Sequence, residues 1–159
     1  WPLLMRAYLF LGLFEAAAGM GAYFFVLTRG GWQWGEGLAR TAPLYLQATT
    51  ACLAAITVTQ AVNVFLCKDP AERLTARRLF DNPIILWGIT AEFALILAIV
   101  YLPVGNKIFG TAPLAPQVWL AMLPFAAAML AAEELRKRVA RRFGNTPRQR
   151  HPTGRKRGG

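Results

Sequence analysis

The segment that decides the fold spans residues 43–66 and has the sequence PLYLQATTACLAAITVTQAVNVFL. It carries no charged residue and exceeds the ~20 residues that a helix needs to cross a bilayer. Gln60 and Asn63 lie three residues apart and share a helix face, with Thr49 and Thr59 near the same stripe. Lipid cannot hydrogen-bond to an amide, so these side chains must face protein, water or an ion.

Three further apolar stretches, residues 7–27, 83–101 and 117–134, have comparable lengths. The chain is 55% hydrophobic, which is too high for a soluble domain of this size. We therefore predict an all-α membrane protein, with four transmembrane helices forming a bundle within residues 1–142. Gly12, Ala16 and Gly19 have the spacing of a small-residue face that lets two helices approach closely.

The connecting segments predict the orientation of the bundle. The 67–82 segment carries four basic residues and the flank after the fourth stretch carries five, whereas residues 28–42 carry two and residues 102–117 carry one. Basic loops stay in the cytoplasm, so both termini are expected there. Asn82 and Pro83 are typical of a helix start, and the prolines and glycines of residues 102–117 predict an irregular loop.

The formal net charge of +10 is concentrated at one end of the chain. Residues 1–135 hold eight basic residues and all eight acidic ones, and the other ten basic residues follow. Residues 143–159 contain almost no apolar side chain and are predicted to be a disordered basic tail. The tail is either simply solvated or attracted to anionic lipid. Without interleaved aromatic residues it is not expected to bind nucleic acid.

Catalytic motifs are missing from the sequence. There is no glycine-rich phosphate loop, and the one histidine, His151, lies in the basic tail. We expect neither catalysis nor a cofactor in this chain.

Polar residues inside the apolar stretches are the candidate functional residues. Glu15 and Glu92 lie in the first and third stretches, and Gln60 and Asn63 lie in the second. An intramembrane carboxylate costs several kcal/mol, so such residues pair, face the bundle interior or line an ion path. They either coordinate an ion or join helices through hydrogen bonds. For Glu15 the second interpretation is preferred.

Five sequence features, in order, resemble the C-terminal membrane region of type II P-type cation ATPases, the group that contains calcium and sodium/potassium pumps. They match the seventh to tenth transmembrane helices of that family. The features are residues 7–27, residues 59–68 (TQAVNVFLCK), residues 82–95 starting with NPIILWG, residues 113–119 (PLAPQVW) and residues 132–137 (AEELRK).

This resemblance implies a role for three residues. Gln60 matches the position at which the eighth helix supplies a polar side chain to the cation site, and Asn63 matches a nearby aspartate position. Glu92 matches an acidic position of the ninth helix that is associated with a further sodium site. Gln60 and Asn63 are neutral where relatives carry a carboxylate, so the transported ion, calcium, sodium or another, stays open.

The family's DKTGT phosphorylation motif is not in this sequence. The resemblance therefore implies that ATP and Mg²⁺ bind elsewhere in a longer pump, together with its other transmembrane helices and cytoplasmic domains. Its place would be the plasma (inner) membrane. The alternative is a stand-alone four-span protein with a structural or regulatory role. The chain starts at Trp1 without methionine, and the reading frame upstream distinguishes the two.

Overall fold

The computed structural model describes residues 11–68 and 82–143, and within them every regular element is a helix. The helices are α1 (Gly12–Arg29), α2 (Pro43–Lys68), α3 (Pro83–Tyr101), α4 (Pro103–Phe109) and α5 (Pro116–Phe143). The all-α prediction is confirmed for this part of the chain. The start of the predicted 7–27 span, most of the 67–82 loop and nearly all of the basic tail lie outside the described residues.

Proline marks the start of four helices, because its fixed φ suits the first helical position and its missing N–H needs no partner there. At α3 the predicted start is confirmed. The Asn82 side chain accepts a hydrogen bond from the Ile84 backbone N–H at 3.1 Å, which satisfies one of the free donors of the first turn.

The prediction of an irregular loop over residues 102–117 was wrong in part, because α4 forms inside it. Pro103 occupies the first turn, and Gly110 ends the helix at a positive φ of 64°. The same proline and glycine that indicate a loop also start and stop a short helix.

Close packing of α1 against α2 forms the centre of the fold, and α5 packs against both. Ala18, Gly19 and Ala22 are the small buried residues of α1. A Cβ added at Gly19 would lie 3.1 Å from the Cys52 Sγ, so the glycine permits this approach. The predicted small-residue face was therefore wrong in part, because Ala16 is exposed.

Two of the described helices are long and apolar enough to cross a membrane, namely Pro83–Tyr101 and Pro116–Arg136. In the first of these, Ile84 and Trp87 are 80% and 75% exposed. Its buried residues, Ile96 and Val100, lie near its end. The other long helices are more polar: Glu15 lies in α1, and α2 carries four threonines with Gln60 and Asn63.

Candidate functional site

The threonine hydroxyls of α2 bond within their own helix. Thr59 Oγ1 donates to the Ala55 carbonyl at 2.9 Å, Thr57 Oγ1 to the Leu53 carbonyl at 3.1 Å, and Thr49 Oγ1 to the Tyr45 carbonyl at 3.0 Å. Such back-bonding satisfies a hydroxyl in an apolar setting without a partner helix. These threonines are therefore structural, and the amides of α2 remain the candidates for chemistry.

Gln60 and Asn63 lie on different parts of the α2 surface. Gln60 is exposed and its neighbour Thr59 is buried. Asn63 is half-buried, so its burial is intermediate between theirs. The 100° turn per residue explains this order, because Asn63 falls between the directions of the other two. The helix face that was expected to carry both residues therefore lies at the edge of the packed core, with Thr59 inside the core and Gln60 outside it.

Asn63 joins α2 to α1. Its Nδ2 donates a hydrogen bond to the Oε1 of Glu15 at 3.2 Å, across 48 residues of sequence. Both side chains are half-buried. A carboxylate accepts hydrogen bonds and the amide nitrogen only donates them, so the two groups are complementary.

The residues that precede Glu15 and Asn63 in the sequence belong to a small apolar cluster. Leu11 and Met129 are buried, and Phe14 and Val62, the residues directly before Glu15 and Asn63, pack against them.

Glu92 lies on α3, is half-buried, and belongs to a helix that contacts α2. Among the residues that the structure describes, it makes no hydrogen bond to Gln60, Asn63 or Glu15. Within residues 11–68 and 82–143, no three His, Cys, Asp or Glu side chains come together as metal ligands. A cation held by Gln60 would therefore need oxygens from other groups.

A second polar cluster, which we call the α3–α4 junction, consists of Asn106, Thr111 and the carbonyls that they contact. Asn106 Nδ2 donates to the Val100 carbonyl at 2.8 Å and to the Ile99 carbonyl at 3.1 Å. Thr111 Oγ1 donates to the Ile99 carbonyl at 2.6 Å. These bonds satisfy carbonyls at the end of α3 that have no partner within the helix.

The end of α5 holds a buried carboxylate. Glu133 is fully buried and accepts two hydrogen bonds from Arg136, at 2.7 and 2.8 Å. The short bidentate contact to Arg136, three residues on, was not predicted.

The comparison with known protein families decides the identity of the chain. The family described as "Cation transporting ATPase, C-terminus" matches residues 1–139. The chain belongs to this family. The resemblance seen in the sequence is thereby confirmed, and family membership together with the apolar helices identifies an integral membrane segment.

Similar proteins of this family are much longer than the chain. The endoplasmic reticulum calcium ATPase srcA of Aspergillus fumigatus is 30% identical over 100 residues, which cover 63% of this chain and 10% of that protein. The probable cation-transporting ATPase F of Mycobacterium bovis is 32% identical over 83 residues, covering 52% and 9%. The same values hold for the Mycobacterium tuberculosis protein of that name. The chain thus spans about a tenth of the length of the curated relatives it matches.

The pairing of Glu15 with Asn63 is the feature of the site that sequence reasoning missed. Spacing along α2 placed Asn63 with Gln60, and nothing in α1 alone showed which helix Glu15 faces. The available signal was a carboxylate in the first predicted span and an amide in the second half of the next one.

Proposed function

We propose that the chain is the C-terminal membrane domain of an ATP-driven cation pump. In this proposal residues 1–142 form a bundle of four spans that braces the transport core. Gln60 supplies an amide oxygen to the cation site, with Asn63 and Glu92 in or near it. Family membership over residues 1–139 supports the pump.

The exposure of Gln60 is the observation that carries its role. An amide at membrane depth needs a partner, since lipid offers neither donors nor acceptors. The threonines of α2 bond to their own helix, and Asn63 contacts Glu15. Gln60 instead lies on the exposed surface of α2. Its partner in the proposal is the cation site, formed with the remaining helices of the pump.

The chemistry of the candidate residues bears on the ion. A divalent cation such as calcium prefers several carboxylate and carbonyl oxygens. Gln60 and Asn63 provide neutral oxygens only, and Glu92 is the one carboxylate among the three. The proposed site therefore requires further charged ligands from the rest of the pump to hold calcium, and fewer to hold sodium.

The proposed membrane arrangement follows the basic residues. The 67–82 segment and both termini face the cytoplasm, and the membrane is the plasma (inner) membrane. The basic tail, residues 143–159, interacts with anionic lipid on that side. ATP and Mg²⁺ bind cytoplasmic domains outside this chain, and their hydrolysis cycle opens the site to alternate sides.

The experiment compares two exposed glutamines of α2 in the full-length pump. Gln60→Ala is expected to raise the half-saturating cation concentration for ATP hydrolysis about tenfold, the effect of losing one oxygen ligand worth ~1.4 kcal/mol. Gln47→Ala is the matched control, because Gln47 is also exposed but lies 13 residues earlier, about 20 Å along the helix. Calcium chloride and sodium chloride are titrated separately.

Equal cation dependence in the two variants would remove Gln60 from the site. A tenfold shift in Gln60→Ala alone supports the proposal, and the salt that shows the shift identifies the ion.

A further inference from the structure

A cavity of about 450 Å³ lies between the C-terminal half of α1, the loop that follows it and the start of α2. Its volume falls within the range of about 300–1,000 Å³ that is typical of small-molecule sites. Glu36 is the one acidic residue that lines it, and no basic residue does so. Five of the lining residues are aromatic, namely Tyr23, Phe24, Trp32, Trp34 and Tyr45.

Three of these aromatic rings form a close cluster. The centroid of the Phe24 ring lies 6.2 Å from that of Trp32 and 6.0 Å from that of Trp34, and the two tryptophan centroids are 5.8 Å apart. The planes of the two tryptophans are inclined at 69°, so these rings form a corner and are not stacked. Trp34 is 85% exposed, so most of its surface is available to a ligand. Tryptophan is the side chain that attracts cations most strongly to its ring face.

Hydrogen bonds hold the loop that carries the two tryptophans. The Trp32 backbone N–H donates to the Leu27 carbonyl at 3.0 Å, and its indole N–H donates to the Glu36 carbonyl at 2.8 Å. The Gln33 backbone N–H donates to Glu36 Oε2 at 3.2 Å. Gly35 has a positive φ of 91°, which lets the chain turn sharply there. The cavity is therefore preorganised, and less conformational entropy is lost when a ligand binds.

Glu36 gives the cavity a negative charge that no basic side chain neutralises within residues 11–68 and 82–143. Arg29 and Arg40 are the nearest basic residues in the sequence, and neither forms an ion pair with it. Arg29 instead lies over the Phe25 ring, 5.5 Å from its centroid. Aromatic rings carry negative partial charge on their faces, so they attract a cation as the carboxylate does. The complementary ligand is therefore a cation with an apolar surface.

We propose that this cavity binds a quaternary ammonium group, the choline headgroup of a phospholipid. A primary ammonium is strongly hydrated, and aromatic rings offer weak replacements for its hydrogen bonds to water. A methylated ammonium has no such hydrogen bonds to lose and packs its methyl groups against the rings. The lipid as occupant rests on the proposed function, because the four-span arrangement places the α1–α2 loop at the membrane surface away from the cytoplasm.

The test measures lipid binding to the full-length pump in a nonionic detergent. Phosphatidylcholine, phosphatidylethanolamine and phosphatidylglycerol with identical acyl chains are titrated separately, and the lipid that stays with the protein after gel filtration is quantified by mass spectrometry. The half-saturating concentration of phosphatidylcholine is expected to be about fivefold lower than that of either other lipid. Phosphatidylglycerol has no ammonium group, so an equal affinity for it would overturn the proposal. Equal affinity for phosphatidylethanolamine would overturn the quaternary assignment.

Two variants test the cavity itself. Trp34→Ala is expected to raise the half-saturating phosphatidylcholine concentration about fivefold, because one ring contact with the cation is lost. Glu36→Gln retains an acceptor for the Gln33 N–H but removes the charge, and a rise of about threefold is expected. Trp87→Ala is the matched control, because Trp87 is 75% exposed on α3 and does not line the cavity. Its phosphatidylcholine titration is expected to stay within about twofold of wild type.

An unchanged phosphatidylcholine titration in either Trp34→Ala or Glu36→Gln would overturn the proposal. An effect of Trp87→Ala as large as that of Trp34→Ala would overturn it as well, because general contact of tryptophan with lipid would then explain both. Choline chloride separates the two sources of the headgroup. Displacement of phosphatidylcholine by an equal concentration of free choline would contradict a lipid as the occupant.

Failure of this proposal is distinct from failure of the proposed function. If Gln60→Ala shifts the cation titration and Trp34→Ala leaves lipid binding unchanged, the cation site stands and only the lipid site is wrong. If Trp34→Ala weakens phosphatidylcholine binding and Gln60→Ala leaves the cation titration unchanged, the lipid site stands and the role of Gln60 is wrong.

Discussion

The two polar clusters of this molecule differ in how many of their polar side chains find hydrogen-bond partners within the described chain. At the α3–α4 junction, Asn106 and Thr111 direct their donors to carbonyls at the end of α3. In the C-terminal half of α2, Asn63 contacts Glu15, but Gln60 lies exposed one turn away. The first cluster satisfies carbonyls at the end of α3, and the second leaves the Gln60 amide on the surface of the chain.

This difference separates structural from functional polar groups. A buried polar group that already has its partners within the chain stabilises the fold, and removing one partner leaves the other unsatisfied. A polar side chain that is exposed on a helix contributes little to the fold of the chain itself. Substitutions in the first cluster are therefore expected to lower stability, and substitution of Gln60 is expected to affect cation binding.

The largest expected loss of stability is at the α3–α4 junction. Asn106→Leu removes the donor to the Val100 carbonyl and is expected to cost about 2 kcal/mol of unfolding free energy. Lys107→Ala, at the exposed neighbouring position, is the control and is expected to stay within about 0.5 kcal/mol. Unfolding of the purified chain in detergent micelles by added SDS measures both. Equal stability of the two variants would contradict the structural role of the junction.

The next effect concerns the interface that brings Glu15 to Asn63. Gly19→Val places side-chain atoms where an added Cβ would already lie 3.1 Å from the Cys52 Sγ and 3.3 Å from the Ile56 Cγ1. The expected cost is about 1–2 kcal/mol of unfolding free energy, as for other overpacked sites. Ala16→Val, at an exposed position of the same helix, is the matched control in the same titration. A larger loss in the control would show that the packing of α1 is different.

A smaller loss is expected at the Glu15–Asn63 pair. Glu15→Ala removes a single interhelical hydrogen bond, which in membrane proteins stabilises by about 0.6–1.7 kcal/mol. The same SDS titration measures it, with Glu15→Gln as the variant that retains an acceptor. A loss exceeding that of Asn106→Leu would reverse the ranking of the two clusters.

The smallest effect on stability is expected for Gln60. Because its side chain is exposed in this chain, Gln60→Ala is expected to change the unfolding free energy by less than about 0.5 kcal/mol. Gln47→Ala is the control, because it makes the same substitution at another exposed glutamine of α2. A loss above about 1 kcal/mol would place the Gln60 amide within the fold and argue against an external partner.

The sequence was sufficient to predict the helices whose signals are local. Apolar length predicted the four long helices, and Asn82 with Pro83 predicted the start of α3. The family could be recognised from short motifs because their order and spacing survive in this chain. Gln60 and Asn63 stood out because amides are rare in an apolar stretch.

Other features depend on contacts between distant residues. The Glu15–Asn63 hydrogen bond joins residues 48 positions apart, and helical periodicity does not tell which face of α1 meets α2. Ala16 and Gly19 carry the same small-residue signal, yet only Gly19 lies in the interface. At α4, proline and glycine indicate both a loop and the two ends of a short helix, and backbone geometry alone decides between them.

The proposed role of Gln60 is tested by the cation dependence of ATP hydrolysis in the full-length pump, compared between Gln60→Ala and Gln47→Ala. This role predicts a rise of about tenfold in the half-saturating cation concentration for Gln60→Ala and a change within about twofold for Gln47→Ala. Indistinguishable titrations of the two variants would contradict it, because the exposed amide of Gln60 would then not reach the transported ion.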